Sequence, residues 1–290
     1  MSIHSMLFNF NASKADRKRD AAIALPEGAT ECRNISYGAE GKWHLLDVCY
    51  PDGTDKPLPT IVSIHGGGYV YGSKEIYRRY AMDMARRGFA FVNFNYRLAP
   101  KWKFPAPLHD TNAVMHWIVK NAHRYHLDPQ RIILVGDSAG AQLTSQYAAI
   151  WANPGYRDLF GMDMPKIKIC CLGLNCGMYD AKLFAAGPRK SISRDYLGKK
   201  LSAQDPRFFV LEAIRENYPP AFITTACHDF LRPEAEPMYR FLRQKNIPAQ
   251  YKCYGSEEDP TVGHVFHVNI LLPEAIRCND DSAEYFRKWV

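Results

Sequence analysis

The sequence predicts an α/β protein whose mostly parallel sheet is covered on both faces by helices. From about Lys42 onward, short apolar runs alternate with amphipathic stretches, the rhythm of strand and helix in such a sheet. Some of the runs, such as Thr60–Ile64, are rich in β-branched residues without alternation, as suits a strand buried on both faces. The 290 residues, 47% hydrophobic and 23% charged, supply one large domain with an ordinary core.

Taken in order, Leu45–Tyr50 alternates like a strand and closes on the turn Pro51-Asp52-Gly53. Thr60–Ile64 is the first buried strand. Glu75–Arg87 has helical character, with Gly88 placed as its C-cap, and Phe89–Phe94 is the next strand. Leu108–Tyr125 carries an apolar stripe of Ala113, Val114, Trp117, Ile118 and Ala122 at helical spacing. A strand at Arg131–Val135 and a helix at Ala139–Trp151 follow. Strands at Lys166–Leu172, Ala221–Ala226 and Gln250–Tyr254, and helices at Pro233–Lys245 and near Ser282–Val290, complete the rhythm. Residues 1–40 and roughly Asn175–Tyr218 stand outside it. Both carry aromatics (Phe8 and Phe10; Tyr179, Phe184, Tyr196, Phe208 and Phe209) that either decorate the domain or cover a site together.

Composition narrows the function. The net charge of +7 is spread along the chain, and its densest run, Lys14–Arg19, contains Asp16, so it reads as a solvated helix face and no nucleic-acid partner is expected. No apolar stretch approaches the ~20 residues of a membrane span, and no long apolar surface helix for interfacial binding is evident, so no membrane partner is expected. The first residues lack the basic-then-apolar order of a secretory signal. The eight cysteines lack a CxxC pair, which reads as reduced thiols in a cytoplasmic chain without bound metal.

Two motifs carry chemistry. Gly136-Asp-Ser-Ala-Gly140 matches G-x-S-x-G, in which a sharp strand-to-helix turn presents the serine above the sheet; a β-branched strand precedes it and a helix follows, as that turn requires. His65-Gly-Gly-Gly68 ends a buried strand, and consecutive glycines let backbone N–H groups approach a developing oxyanion. A phosphate loop is the rival reading of these glycines, but no Lys-Ser/Thr follows and G-x-G-x-x-G is absent. Ser138 then needs a base, and the base an orienting acid, in the chain order serine, acid, histidine. Asp229, just past a strand, and His264, beyond the last strand, meet that order. Glu234 remains an alternative acid, and His267 and His228 alternative bases. His109, His116 and His123 recur every seven residues, ~10 Å apart along a helix and too far apart for one ion. His65 is expected to support its loop by hydrogen bonding.

HGGGYVYGS, NYRLAPKWKFPAPLHD, GDSAG, ACHDFLRPEAE and GHVFH occur in this order between Pro59 and His267. This set resembles the hormone-sensitive-lipase-like branch of the α/β-hydrolases, the HGGG and GDSAG esterases. The resemblance implies an eight-stranded sheet and a triad of Ser138, Asp229 and His264. It further implies an oxyanion hole from the amides of Gly67, Gly68 and Ala139, and short-chain acyl esters, acetates foremost, as substrates, without cofactor or metal. Residues 1–40 and the insertion at about 175–218 would form a cap on a catalytic domain spanning 41–290, and a homodimer is compatible. Departures are Ala141 for a glycine after GDSAG, Val265 for the glycine after the histidine, and Phe230 and Pro233 within the acid motif. An amidase or formamidase on this scaffold is the alternative enzyme. A binding protein that has lost catalysis is the other, and the presence of His264 argues against it.

Overall fold

The computed structural model describes residues 1–179, 190–198 and 205–290; Phe184 and part of the 175–218 segment lie outside these. Eight strands form one sheet in the order β1-β2-β4-β3-β5-β6-β7-β8. They are β1 Ala29–Ser36, β2 Leu45–Pro51, β3 Leu58–Ile64, β4 Ala90–Phe94, β5 Leu127–Asp137, β6 Ile169–Asn175, β7 Ala221–Ala226 and β8 Ala249–Tyr254. The pairings β1–β2 and β2–β4 are antiparallel, and the remaining pairings are parallel.

Alternation of side chains along each strand builds two separate cores. On one face Val62, Val92, Leu134 and Ile223 pack beneath helices α3 (Ala106–Asn121), α4 (Ala139–Ala152) and α8 (Arg232–Gln244). On the other, Ile61, Phe91, Ile133 and Phe222 pack beneath α2 (Arg78–Arg86) and α9 (Pro273–Arg287). The central strands are therefore buried on both faces, which is why they read without an alternation of buried and exposed residues. Edge strand β8, half covered, alternates partly buried and exposed residues until Tyr254.

Several boundaries differ from the sequence reading. Strand β1 was not expected: its residues are at most partly buried, so no apolar period announces them, and antiparallel pairing to β2 makes the strand. The expected strand at Lys166–Leu172 lies at Ile169–Asn175, further along. The helix expected over Glu75–Arg87 opens as a 3₁₀ turn, Lys74–Tyr77, before α2. The final helix starts at Pro273, nine residues earlier than expected, with Pro and Glu274 in its first turn.

Over the carboxyl ends of the strands lie two helices outside the βα rhythm, α1 (Ile3–Ala21) and α6 (Lys190–Leu197), with the short helices α5 (Pro154–Asp158) and α7 (Val210–Ala213) beside α4. Ser2 caps α1 by accepting from the Ser5 amide. The carboxylate of Asp195 in α6 accepts from the Ser2 amide at 2.7 Å and the Ser5 hydroxyl at 2.8 Å. Tyr196 stacks on Tyr69 with ring centroids 3.8 Å apart, tying α6 to the segment after His65-Gly-Gly-Gly68. No helix among the described residues is long and apolar enough to cross a membrane.

Candidate active site

Ser138 occupies the turn between β5 and α4 with φ 53° and ψ −121°, a conformation that L-residues avoid and that is held only where the surroundings over-determine it. Its amide donates to the Asn175 carbonyl of β6 at 3.0 Å. Gly140 lets α4 start against β3: a Cβ there would overlap the carbonyl oxygen of Ile64. The turn is thus clamped between two neighbouring strands, and Ser138 projects into a cavity of about 880 Å³.

His264 lines the same cavity. Its Nδ1 lies 2.7 Å from Oδ1 of Asp229, whose side chain is fully buried behind it. The second carboxylate oxygen accepts from the Thr225 hydroxyl at 2.8 Å, and Oδ1 also accepts from the Leu231 amide at 2.9 Å. Burial alone would raise the Asp229 carboxyl, but these donors and the imidazole's charge outweigh it and hold the group below the usual carboxylate range. A carboxylate at Nδ1 leaves Nε2 as the nitrogen available to the cavity.

Gly67, Gly68 and Ala139 also line the cavity. Gly67, at φ 111°, turns its carbonyl to the amides of Val70 and Tyr71, and a Cβ there would overlap the Tyr71 carbonyl. The amides of Gly67, Gly68 and Ala139 donate to no acceptor among the described residues. For Ala139 this is the ordinary state of a first helical residue. His65 is fully buried, bonds the Gly66 carbonyl through Nδ1 at 2.7 Å, and stacks on Tyr96 at 4.1 Å. Burial lowers its imidazole to about 4, so it acts as a neutral buttress of the loop.

The other sequence candidates lie elsewhere or differently occupied. His267 is buried against Tyr80 at 5.1 Å, and burial with the nearby His264 charge lowers it to about 3. His228 bonds the Glu257 carbonyl. Glu234 does line the cavity, and its carboxylate accepts the Tyr179 amide. His109, His116 and His123 are exposed, with His116 on the Asp163 carbonyl at 3.1 Å.

Four contributors went unrecognised in the sequence. Asp137 beside the serine is fully buried, and burial pushes its carboxyl up to about 7 despite the Tyr77 hydroxyl at 2.8 Å and the charge of His264. Tyr77 also accepts the Gly66 amide at 3.1 Å, so one hydroxyl joins both motifs. Phe230 packs its ring against His264 with centroids 4.2 Å apart; its place directly after Asp229 was the available signal. Cys176 is the fourth: its Sγ accepts the Val265 amide at 3.4 Å. Val265 itself adopts φ 60° and ψ 30°, the left-handed region in which a valine is strained.

Ligand atoms of Cys176, Asp229 and His264 lie within 4.8 Å of one another. Burial pushes the Cys176 thiol well above its usual value, with the Asp229 charge adding to it, and Asp229 is already engaged by His264, Thr225 and Leu231. The trio is a hydrogen-bonded knot behind the imidazole.

A family model described as alpha/beta hydrolase fold matches residues 61–268. The chain is an α/β-hydrolase. It belongs to the hormone-sensitive-lipase-like branch, as its esterase relatives also indicate. An ethyl acetate hydrolase of Pseudomonas putida is 30% identical over 256 residues, covering 82% of this chain and 79% of that protein. The carboxylesterase NlhH of Mycobacterium tuberculosis is 29% identical over 265 residues, covering 86% and 78%. Among solved structures, esterase B from Lactobacillus rhamnosis superposes on this α/β-hydrolase with a TM-score of 0.89 at 22% identity, over 98% of this chain and 93% of that one.

Proposed function

We propose that this α/β-hydrolase cleaves short-chain acyl esters, acetates foremost, through an acyl-enzyme on Ser138. That it is a carboxylic ester hydrolase follows from its esterase relatives. The observation that carries the mechanism is the convergence of Ser138, an Asp229-held His264 and three uncommitted amides on one cavity. In this reading His264 takes the Ser138 proton through Nε2 as the hydroxyl oxygen attacks the ester carbonyl. The oxyanion is received by the amides of Gly67, Gly68 and Ala139. Imidazolium then gives its proton to the departing alkoxide, and the same imidazole activates the water that frees the acid. Asp229 holds the imidazole's tautomer. Burial of His267 in the core beside Tyr80 supports His264 as the base.

Relatives named for acetyl substrates include the ethyl acetate hydrolase already described and a Salmonella acetyl esterase 25% identical over 78% of this chain. The cavity far exceeds an acetyl group, so its apolar walls, including Phe8, Ile76, Ile192 and Phe230, are read as holding the alcohol. Helix α1 and α6, the described helix of the 175–218 segment, are read as part of a cap over it. The test is hydrolysis of aryl esters from acetate to long acyl chains by the native protein and Ser138→Ala. Rapid cleavage that falls with chain length and disappears in Ser138→Ala is expected. Equal rates for the two proteins would remove Ser138 from the mechanism.

A further inference from the structure

Helix α1 has two faces with different tasks. At about 100° per residue, Phe8, Ala12, Asp16 and Arg19 fall on one side, and all four line the cavity. Ile3, Met6, Leu7 and Phe10 fall on the opposite side, and Lys14, Arg17 and Lys18 continue that same arc, which spans about 120°. The apolar four are 73%, 59%, 56% and 66% exposed, and the three basic residues are exposed as well. No carboxylate shares the outer arc. Asp16 and Asp20 turn to Arg19, each at 2.8 Å.

We propose that the outer face of α1 docks on an anionic lipid surface, lying in its plane. The first turns sink Ile3, Met6, Leu7 and Phe10 among the acyl chains, and the last turns set Lys14, Arg17 and Lys18 against acidic headgroups. Interfacial helices bind through this pairing of buried apolar area with attraction to anionic lipid, and the chain's net charge of +7 adds to it. Charge decides the occupant. A second copy meeting this face would use the apolar half alone and would bring no carboxylate on its own α1 to the basic half. Because the inner face of α1 is a wall of the cavity, docking holds the cavity beside the surface, where apolar esters concentrate. That consequence rests on the esterase reading; the docking does not.

Sedimentation of the full chain with vesicles of phosphatidylcholine, with and without phosphatidylglycerol, tests it. Binding to the anionic vesicles is expected, weakened by salt and at least tenfold poorer on phosphatidylcholine alone. Each basic residue near such a surface contributes about fivefold, so Lys14→Gln/Arg17→Gln/Lys18→Gln together should lose roughly a hundredfold. Leu7→Ser/Phe10→Ser should abolish binding. Both variants should hydrolyse a soluble aryl acetate like the native protein, which also shows that they fold. No binding to anionic vesicles overturns the proposal, as does binding that the triple substitution leaves unchanged. A dimer in light scattering, lost in Leu7→Ser/Phe10→Ser and without vesicle binding, assigns the face to a second copy instead. Vesicle binding by a protein that cleaves no ester leaves the docking standing and overturns the esterase reading.

Discussion

Ser138 and Val265 are both non-glycine residues at positive φ, at 53° and 60°, and they flank the same cavity. The first is clamped by β3 and β6 through the close approach of Gly140 and the bond to Asn175. The second follows His264 directly; its amide donates to Cys176 Sγ and its carbonyl accepts the Val268 amide at 3.4 Å. A valine in the left-handed region carries about 1–2 kcal/mol of strain, which glycine would relieve while adding about 1 kcal/mol of chain entropy to the unfolded state. Val265→Gly is therefore expected to shift stability by no more than ~1 kcal/mol, or a few degrees in Tm. A drop characteristic of core truncation, ~3 kcal/mol or more, would show that packing, not backbone strain, governs this position. Asp229→Asn keeps the shape but can present an amide N–H to Nδ1, stabilising the wrong tautomer. It should lower kcat by roughly 10⁴-fold on the precedent of other serine triads, and steady-state kinetics with an aryl acetate measures this. A loss under tenfold would show that the carboxylate does not orient the base.

At the level of elements, how α1 is held determines what wall the cavity has. One carboxylate, Asp195, takes both the Ser2 amide and the Ser5 hydroxyl; with these donors its carboxyl lies below the usual range although burial opposes them. Asp195→Ala should release the amino-terminal turns of α1 while leaving the sheet intact. Amide hydrogen exchange should then quicken by tenfold or more in residues 5–12 and remain unchanged in β5 and β6. Unaltered exchange in α1 would mean that other contacts suffice to seat it. The buried strands, the serine turn and the glycine loop were legible in the sequence because each imposes a local rule: β-branched runs, a flanked G-x-S-x-G, three adjacent glycines. Strand β1 was not, since its half-covered residues show no period. Nor was the double face of α1. Lys14–Arg19 read as a solvated face, and only the structure shows that Ile3, Met6, Leu7 and Phe10 share the outward arc with the basic residues rather than facing the core. Tyr77 belongs to the site through distance alone, for which a sequence without structure has no signal, whereas Phe230 was signalled only by its place after Asp229.

Across the whole molecule, three buried ionisable groups set a dependence of stability on pH. His267 falls to about 3 and His65 to about 4, both from an ordinary 6.5 and both through burial. Below 6.5 the unfolded chain therefore binds protons that the fold refuses, and stability is lost as pH falls. Asp137 acts the other way. Its folded value near 7, against 3.8 unfolded, gives stability that is present at low pH and lost as pH rises through 7. Two groups against one leave a net rise in stability from about pH 4.5 to about 7, of roughly 1.4 kcal/mol per pH unit at most, then a very slight decline above it. Thermal melts from about pH 4.5 to 8 should show a maximum near 7, and His267→Phe should flatten the acid side. A Tm that falls steadily from pH 4.5 upward would contradict this balance. The overall α/β layout was legible because a doubly covered parallel sheet writes its burial into every central strand. The pH dependence was not, since it arises from how deeply particular groups are enclosed.

The bond from Ser2 to Asp195 spans 193 residues. A ribosome adding about 5–20 residues per second needs roughly 10–40 s to cover that distance. For all of that time the first helix of the chain has emerged while its anchor does not yet exist. Its apolar stripe is therefore open to chaperones, to neighbouring nascent chains and to any nearby bilayer before the pocket it will wall has been made. Helix α1 is made well before its anchor and is among the last elements to find its place.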